Sequence, residues 1–498
     1  MKQLKSLIIL LLLFAGGCKV ARENNSNEFN YYTQGKSNRM AAEWEPASGV
    51  MITWPLCIPY KLAIELAKDI TLYTLVENDK NKQDALKWYA HWGIDTAKCK
   101  FIFARQGEDA WWVRDWGPHA VFTAKGHMKL GDGKYRYSTP ASRLGCNDSL
   151  IFFNKTPDNK IQFTDIDDSA TLEIGKGLNL EILDLPFAST GGNVMTDGLG
   201  TAFSTCILTN ENRYSGVPDD KFFALNETLL GIRRYNIIPN FEPGDIQHID
   251  CFMKMLDEER ILILNPPKDH PHHDIYERII RENISHLKTV YNRPYQLLRI
   301  DSYSYEAGSL AAYTNALILN KTVYVPLFSI PQDSLALKRW GEVMPGYIIK
   351  GFTFVLNNEP NLGQKMKEHY QGKLGWFTSD ALHCRTRAIW DKEMLYINVR
   401  RPDTSSGKVR RVFATIIDYS LKGLITGKIK LRWRIRGSND WNETVMNNAD
   451  NSAHFYADIP AANTGDTIEY YVTASSNSGR IETMPRTAPA GFYSYVIL

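Results

Sequence analysis

Between residues 43 and about 399 the chain alternates short apolar runs with stretches whose apolar positions recur at helical spacing. Residues 50–54, 101–104, 261–264 and 317–325 are mainly apolar runs of strand length, and each predicts a buried strand. Residues 60–75 and 82–92 space their apolar side chains three and four apart and predict helices. Gly and Pro punctuate the connections at Trp116-Gly117-Pro118 and Thr190-Gly191-Gly192-Asn193, where turns with positive φ are readily reached. The alternation predicts an α/β domain over residues 39–405, and no repeat is visible in the sequence itself. Around Arg400-Arg401-Pro402-Asp403-Thr404-Ser405-Ser406-Gly407 the composition becomes that of a linker. Beyond it, residues 428–435 read Lys-Ile-Lys-Leu-Arg-Trp-Arg-Ile, the period of a half-exposed strand, and residues 467–474 predict another. With turns at 437–440, 447–451 and 475–479, residues 410–498 are predicted to form a small all-β sandwich.

The N-terminus departs from this pattern. Met1-Lys2-Gln3-Leu4-Lys5 and the apolar residues 7–15 have the two regions of a secretory signal, and the apolar run is too short to cross a bilayer comfortably. Ala15-Gly16-Gly17-Cys18 resembles a bacterial lipobox, which implies a signal over residues 1–18, lipidation of Cys18 and an exported protein held to a bacterial membrane, the outer one by expectation. A plain cleavable signal and free secretion is the second reading. Residues 19–38, rich in Asn, Ser and Glu, are expected to be a flexible tether.

At 498 residues the chain exceeds one average domain, which agrees with the two patterns above. Its net charge of +3, without a basic run, excludes a phosphate-tracking surface, so nucleic acid is not an expected partner.

The seven cysteines form no CxxC pair, and Cys57, Cys99, Cys146, Cys206 and Cys251 are expected to be inert core thiols. Cys384 differs. It stands in Asp380-Ala381-Leu382-His383-Cys384-Arg385-Thr386, where His383, Arg385 and Arg387 are expected to lower its pKa and enrich the attacking thiolate. In His248-Ile249-Asp250 an extended backbone would put imidazole and carboxylate on one face, although such a pair also serves as half a metal site. Asp115 follows Trp111-Trp112-Val113-Arg114 and precedes Trp116, and aromatic walls of this kind exclude water and strengthen an ionic contact. Asn315 is a candidate to orient the cysteine or a substrate amide. Taken singly, each residue more often has a structural role: a core thiol, a satisfied histidine, an Asp or Asn capping a turn. Taken together they suit a guanidinium, a permanent planar cation that carboxylates grip and a soft nucleophile attacks.

These segments, with Met40-Ala41-Ala42-Glu43-Trp44-Glu45-Pro46, Ser189-Thr190-Gly191-Gly192-Asn193 and Tyr313-Thr314-Asn315, resemble in sequence order the bacterial peptidylarginine deiminase branch of the agmatine deiminase family. The resemblance implies a pentein fold, a five-bladed α/β propeller with the site at its centre, followed by an immunoglobulin-like sandwich. It implies no metal and no organic cofactor. Carried over, Asp115 and Asp250 would clamp the guanidinium, Cys384 would attack it, His248 would move protons, Asn315 would support the site and Trp112 would line the alkyl slot. In that branch arginines also recognise the carboxylate of a C-terminal arginine. The corresponding stretch here departs from the pattern and leaves Arg136 and Arg143 as candidates. The expected partners are arginine-containing peptides or proteins.

Three other readings stand beside this one. The same chemistry fits a small guanidine such as agmatine or free arginine. Metal-dependent hydrolysis would use His248, Asp250 and Asp269-His270-Pro271-His272-His273, where the proline breaks helical spacing of the histidines. A non-catalytic surface lipoprotein would use its tryptophans to stack on glycans.

Overall fold

The computed structural model describes residues 37–107, 110–135, 138–140, 146, 150–152, 165–241, 246–306, 309–369, 374–402, 409–448 and 452–498. Cys18, Arg136 and Arg143 lie outside them.

Thr71–Val76 sits between two parallel neighbours, Ala47–Thr53 and Cys99–Phe103. The helix expected over residues 60–75 therefore ends at Asp69, and Ile70 turns to extended backbone. Thr-Leu-Tyr-Thr-Leu-Val is buried almost throughout, and β-branched and aromatic packing overrides the helical spacing of its leucines. The run 317–325 also divides: Leu317–Leu319 and Thr322–Leu327 pair antiparallel about Asn320, whose φ of 54° makes the turn. The helix Asp79–His91 and the strands Cys99–Phe103 and Arg260–Asn265 lie where the pattern puts them.

A repeat that the sequence conceals emerges in the pairing. His119–Phe122 pairs antiparallel with Met128–Lys134, which returns through the helix Asp165–Leu178 to the parallel strand Ile182–Ala188. The same order recurs in Met195–Thr196, Thr201–Thr205 and Arg234–Ile238, in Met253–Met255, Arg260–Asn265 and Gln296–Asp301, and in Leu317–Leu319, Thr322–Leu327 and Ile348–Thr353. The fifth unit takes its first strand from far along the chain. Arg387–Trp390 pairs antiparallel with Ala47–Thr53, which crosses through the helix Tyr60–Asp69 to Thr71–Val76. One large apolar core, with Val50, Leu262, Ile318 and Trp376 among its members, runs through several units.

Leu395–Arg400 pairs with Arg410–Asp418, so the C-terminal β region begins before residue 405, the expected end of the first domain. Leu-Tyr-Ile-Asn-Val-Arg alternates faces and belongs with the strands that follow it. Two antiparallel sheets face each other over Ile397, Val412, Leu431, Phe455, Ile468 and Val472. Arginines tie this region to the first: Arg401 to Asp257 at 2.6 Å, Arg480 to Asp391 at 3.0 Å, and Arg486 to the Trp44 carbonyl at 3.3 Å. No helix among the described residues is long and apolar enough to cross a membrane.

Candidate active site

In every unit a tight turn precedes the first strand, and these turns carry the candidate residues. Val113–Trp116 leads into His119–Phe122, and Gly191–Asn193 into Met195–Thr196. Ile249–Phe252, with His248 at its cap, leads into Met253–Met255, Asn315 precedes Leu317–Leu319, and Cys384 precedes Arg387–Trp390. Hydrogen bonds join the five turns in a circuit. Arg114 N donates to the Cys384 carbonyl at 3.0 Å, Gly192 N to Asp115 Oδ1 at 3.1 Å and Ile249 N to Asn193 Oδ1 at 3.1 Å. Thr314 Oγ1 donates to the Cys251 carbonyl at 3.0 Å, and Asn315 Nδ2 reaches Cys384 Sγ at 3.2 Å. Five residue types that are far apart in sequence are thus brought to one place.

The Cys384 side chain is fully buried, not set in a polar surface loop. Its cationic neighbours turn away from the sulfur: Arg385 forks onto Asp380 at 2.8 and 2.6 Å, and Arg387 bonds the Arg114 and Pro118 carbonyls. The expected lowering of its pKa is therefore reversed. Burial above all pushes the thiol up to about 11; a hydrogen bond with Cys251 is the next largest influence and opposes it, and Asp250, Asp115 and Asp380 add to the rise. Cys251, expected to be an inert core thiol, lies beside Cys384. Asp250, Cys251 and Cys384 bring a carboxylate oxygen and two sulfurs within 4.8 Å of one another.

His248-Ile249-Asp250 is a helical turn, not an extended segment, because Ile249–Phe252 closes on its own carbonyls. His248 and Asp250 still meet the site, one from the cap and one from the turn. His248 Nδ1 lies 3.4 Å from Asp115 Oδ1. Burial drives this imidazole toward the neutral form, but Asp115 above all, then Asp250 and Glu211, hold its pKa up at about 9. Asp250 is fully buried, and its Oδ2 lies 2.7 Å from His383 Nδ1 and 3.7 Å from Cys384 Sγ. Burial pushes its carboxyl up; His383, then His248 and Lys254, more than offset that and hold it below the ordinary range.

Trp112 caps the Val113–Trp116 turn, buried and edge-on to Trp111. Sequence reasoning passed over Gly192, Glu211 and the partnership of His383 with Asp250. Only Gly192 left a signal, as part of a paired-glycine turn. The histidines of the alternative metal reading gather at the start of the helix His273–Ile279, where His273 Nδ1 lies 2.9 Å from the Pro266 carbonyl. Among the described residues they form no three-ligand group with His248 or Asp250.

The family model of Porphyromonas-type peptidyl-arginine deiminases matches residues 39–355. The chain belongs to this family. The match stops short of Cys384, but the circuit of hydrogen bonds ties that residue to turns within it. Three solved structures share the fold. The agmatine deiminase of C. jejuni aligns at a TM-score of 0.52 and 15% identity over 72% of this chain and 98% of its own. That of Enterococcus faecalis gives 0.52 and 16% over 72% and 98%. A protein from Porphyromonas gingivalis assigned by inference as an arginine deiminase gives 0.53 and 18% over 72% and 99%.

Gly192 offers a direct check on the site in this family member. A Cβ there would run into Asp115 Oδ1 and sit 3.0 Å from His248 Nδ1 and 3.3 Å from Asp250 Oδ2. Gly192→Ala is expected to lower kcat/KM for guanidine hydrolysis by about 100-fold, the order of cost for a displacement of about 1 Å. Steady-state kinetics on an arginine peptide measure it, and activity close to that of the parent would place the reaction elsewhere.

Proposed function

We propose that the protein hydrolyses the guanidinium of arginine in peptides or proteins to citrulline and ammonia through a covalent thiouronium on Cys384. The observation that carries this reading is the convergence of a thiol, an imidazole and two carboxylates from separate units on one buried centre. Asp115 and Asp250 hold the guanidinium by charge-assisted hydrogen bonds with its carbon beside the sulfur. The entering cation offsets the carboxylates that keep Cys384 protonated, and the thiol releases its proton to solvent to become the nucleophile. A C–S bond forms, the scissile C–N bond breaks, and His248 gives its proton to the departing ammonia. His248, now neutral, takes a proton from water as that water attacks the thiouronium carbon. The C–S bond breaks, the departing sulfur takes the remaining hydroxyl proton and returns to the thiol, and the ureido product departs.

Five blades about a pseudo-fivefold axis and an immunoglobulin-like identity for the C-terminal sheets belong to the same reading. So do two domains meeting near residue 395 and export with a lipid on Cys18, for which metabolic labelling with a fatty acid, lost in Cys18→Ser, is the check. Citrulline release from a peptide ending in arginine, one with internal arginine, free arginine and agmatine, with and without chelator, tests the function. Product from the peptides that survives chelation is expected. Agmatine as the preferred substrate would move the assignment to small guanidines, and silence on all four would overturn it.

The held-up pKa of His248 fixes a pH dependence. The imidazole is charged in the free enzyme below about 9 and neutral above. Since the first step needs its proton and also loses the Cys384 proton to solvent, kcat/KM is expected to rise with pH up to about 9 and to level off there. Removing the nearest cause, as in Asp115→Asn, shifts that break toward neutral pH. The stability linkage runs the other way: the His248 contribution is fully present below the unfolded histidine value of about 6.5 and is lost through the folded one. A pH–rate profile that keeps climbing tenfold per pH unit above about 9 would contradict the assigned role.

A further inference from the structure

We propose that His383, gripped by Glu43, is a positioning residue that fixes the Asp250 carboxylate in the orientation that receives the guanidinium. This rests on the function proposed above and adds a residue to its machinery. His383 is buried, and its two ring nitrogens face carboxylates on opposite sides: Nδ1 lies 2.7 Å from Asp250 Oδ2 and Nε2 2.8 Å from Glu43 Oε2. Held between two carboxylates, the ring is a rigid spacer whose rotation would break both contacts.

Glu43 is itself held. Its Oε1 accepts from Ile318 N at 2.9 Å, and Lys254 Nζ donates to both of its oxygens at 3.1 and 3.3 Å. Asp250, His383, Glu43 and Lys254 thus form a buried row of polar contacts, in which each member fixes the next. The backbone of His383 is pinned as firmly: its N–H donates to Asn315 Oδ1 at 2.9 Å, and Arg114 Nε donates to its carbonyl at 3.2 Å. Cys384 follows directly, its carbonyl accepting from Arg114 N at 3.0 Å. The nucleophile and the holder of the clamp therefore share one anchor. Movement of either would carry the other, so the distance from sulfur to guanidinium carbon is set by a single piece of chain. This also gives the Ala42-Glu43-Trp44 segment, more than 300 residues away in sequence, a part in the chemistry.

Two amide substitutions separate the two ring nitrogens. In His383→Asn the side-chain amide nitrogen stands near the former Nδ1 and can still donate to Asp250. In His383→Gln it stands near the former Nε2 and can serve only Glu43. Positioning through Asp250 predicts that His383→Asn keeps kcat/KM to within about 10-fold, while His383→Gln loses about 100-fold or more, with KM raised as the cation is held less well. A second readout does not require turnover. The ratio of Cys384 alkylation by chloroacetamidine, a planar cation, to that by neutral iodoacetamide should be high in the parent and in His383→Asn, and fall at least about 10-fold in His383→Gln. Equal losses in both variants, tracking a common fall in Tm, would show a structural role only and overturn the proposal. So would an unchanged alkylation ratio in His383→Gln. A parent silent on every guanidine, but with its amidine preference intact and lost in His383→Gln, would strike the proposed function and leave the positioning of Asp250 standing.

Discussion

Cys384→Ser is expected to lower citrulline formation from an arginine peptide by at least about 10⁴-fold, the scale on which an enzyme loses its nucleophile. The change is small in space. The residue is buried, its backbone N–H and carbonyl bond to Asn315 and Arg114 whatever the side chain, and Asn315 Nδ2 can donate to a hydroxyl as to a sulfur. The fold should therefore survive, with Tm close to that of the parent. The chemistry does not survive, because a hydroxyl in this acidic, buried position is far harder to ionise than a thiol already pushed up to about 11. Single-turnover mass spectrometry should show an adduct on the residue 384 peptide in the parent and none in the variant. Retention of a tenth of the parent rate would exclude Cys384 as the attacking group.

His248→Asn is expected to cost about 10³-fold in kcat, within the range for a group that moves protons in the rate-determining step. Its physical consequence is wider than catalysis. The imidazole is held protonated among Asp115, Asp250 and Glu211, and its removal leaves that acidic cluster with less neutralising charge in a buried place. Breaking a buried pair in this way costs about 3–5 kcal/mol. A bound guanidinium supplies the missing charge. An arginine-containing peptide should therefore raise the Tm of His248→Asn more than it raises that of the parent. Thermal melts with and without peptide measure the difference, and an equal rise in both would contradict the cationic state assigned to His248.

The strands that bury both faces were legible as apolar runs, and so were the residue types of the site. What the sequence could not show was geometry. Ile70 and Tyr73 continue the three-and-four spacing of Leu62 and Leu66, and only pairing on both sides of Thr71–Val76 settles that this stretch belongs to a strand. The fivefold repetition is written in strand pairing, which tolerates almost any apolar residue, so it leaves no period in the letters. Arg385 and Arg387 stand next to Cys384 in the chain, and adjacency suggests electrostatic help. Their guanidinium groups go instead to Asp380 and to main-chain carbonyls, and burial decides the state of the sulfur. Cys251 looked like a core thiol because the residues beside it are apolar. Its neighbour in space is Cys384, supplied by a segment more than 100 residues downstream.

The strand Arg387–Trp390, which completes the fifth unit beside Ala47–Thr53, has a consequence for the timing of the protein's life. A ribosome making this chain exposes the sheet that awaits that strand early and delivers the strand, with the sulfur just ahead of it, only after all the other turns of the site have emerged. An unfinished chain holds four of the five corners and no reactive atom. On the proposed mechanism no partial product can attack a guanidinium, and competence begins when this strand is in place.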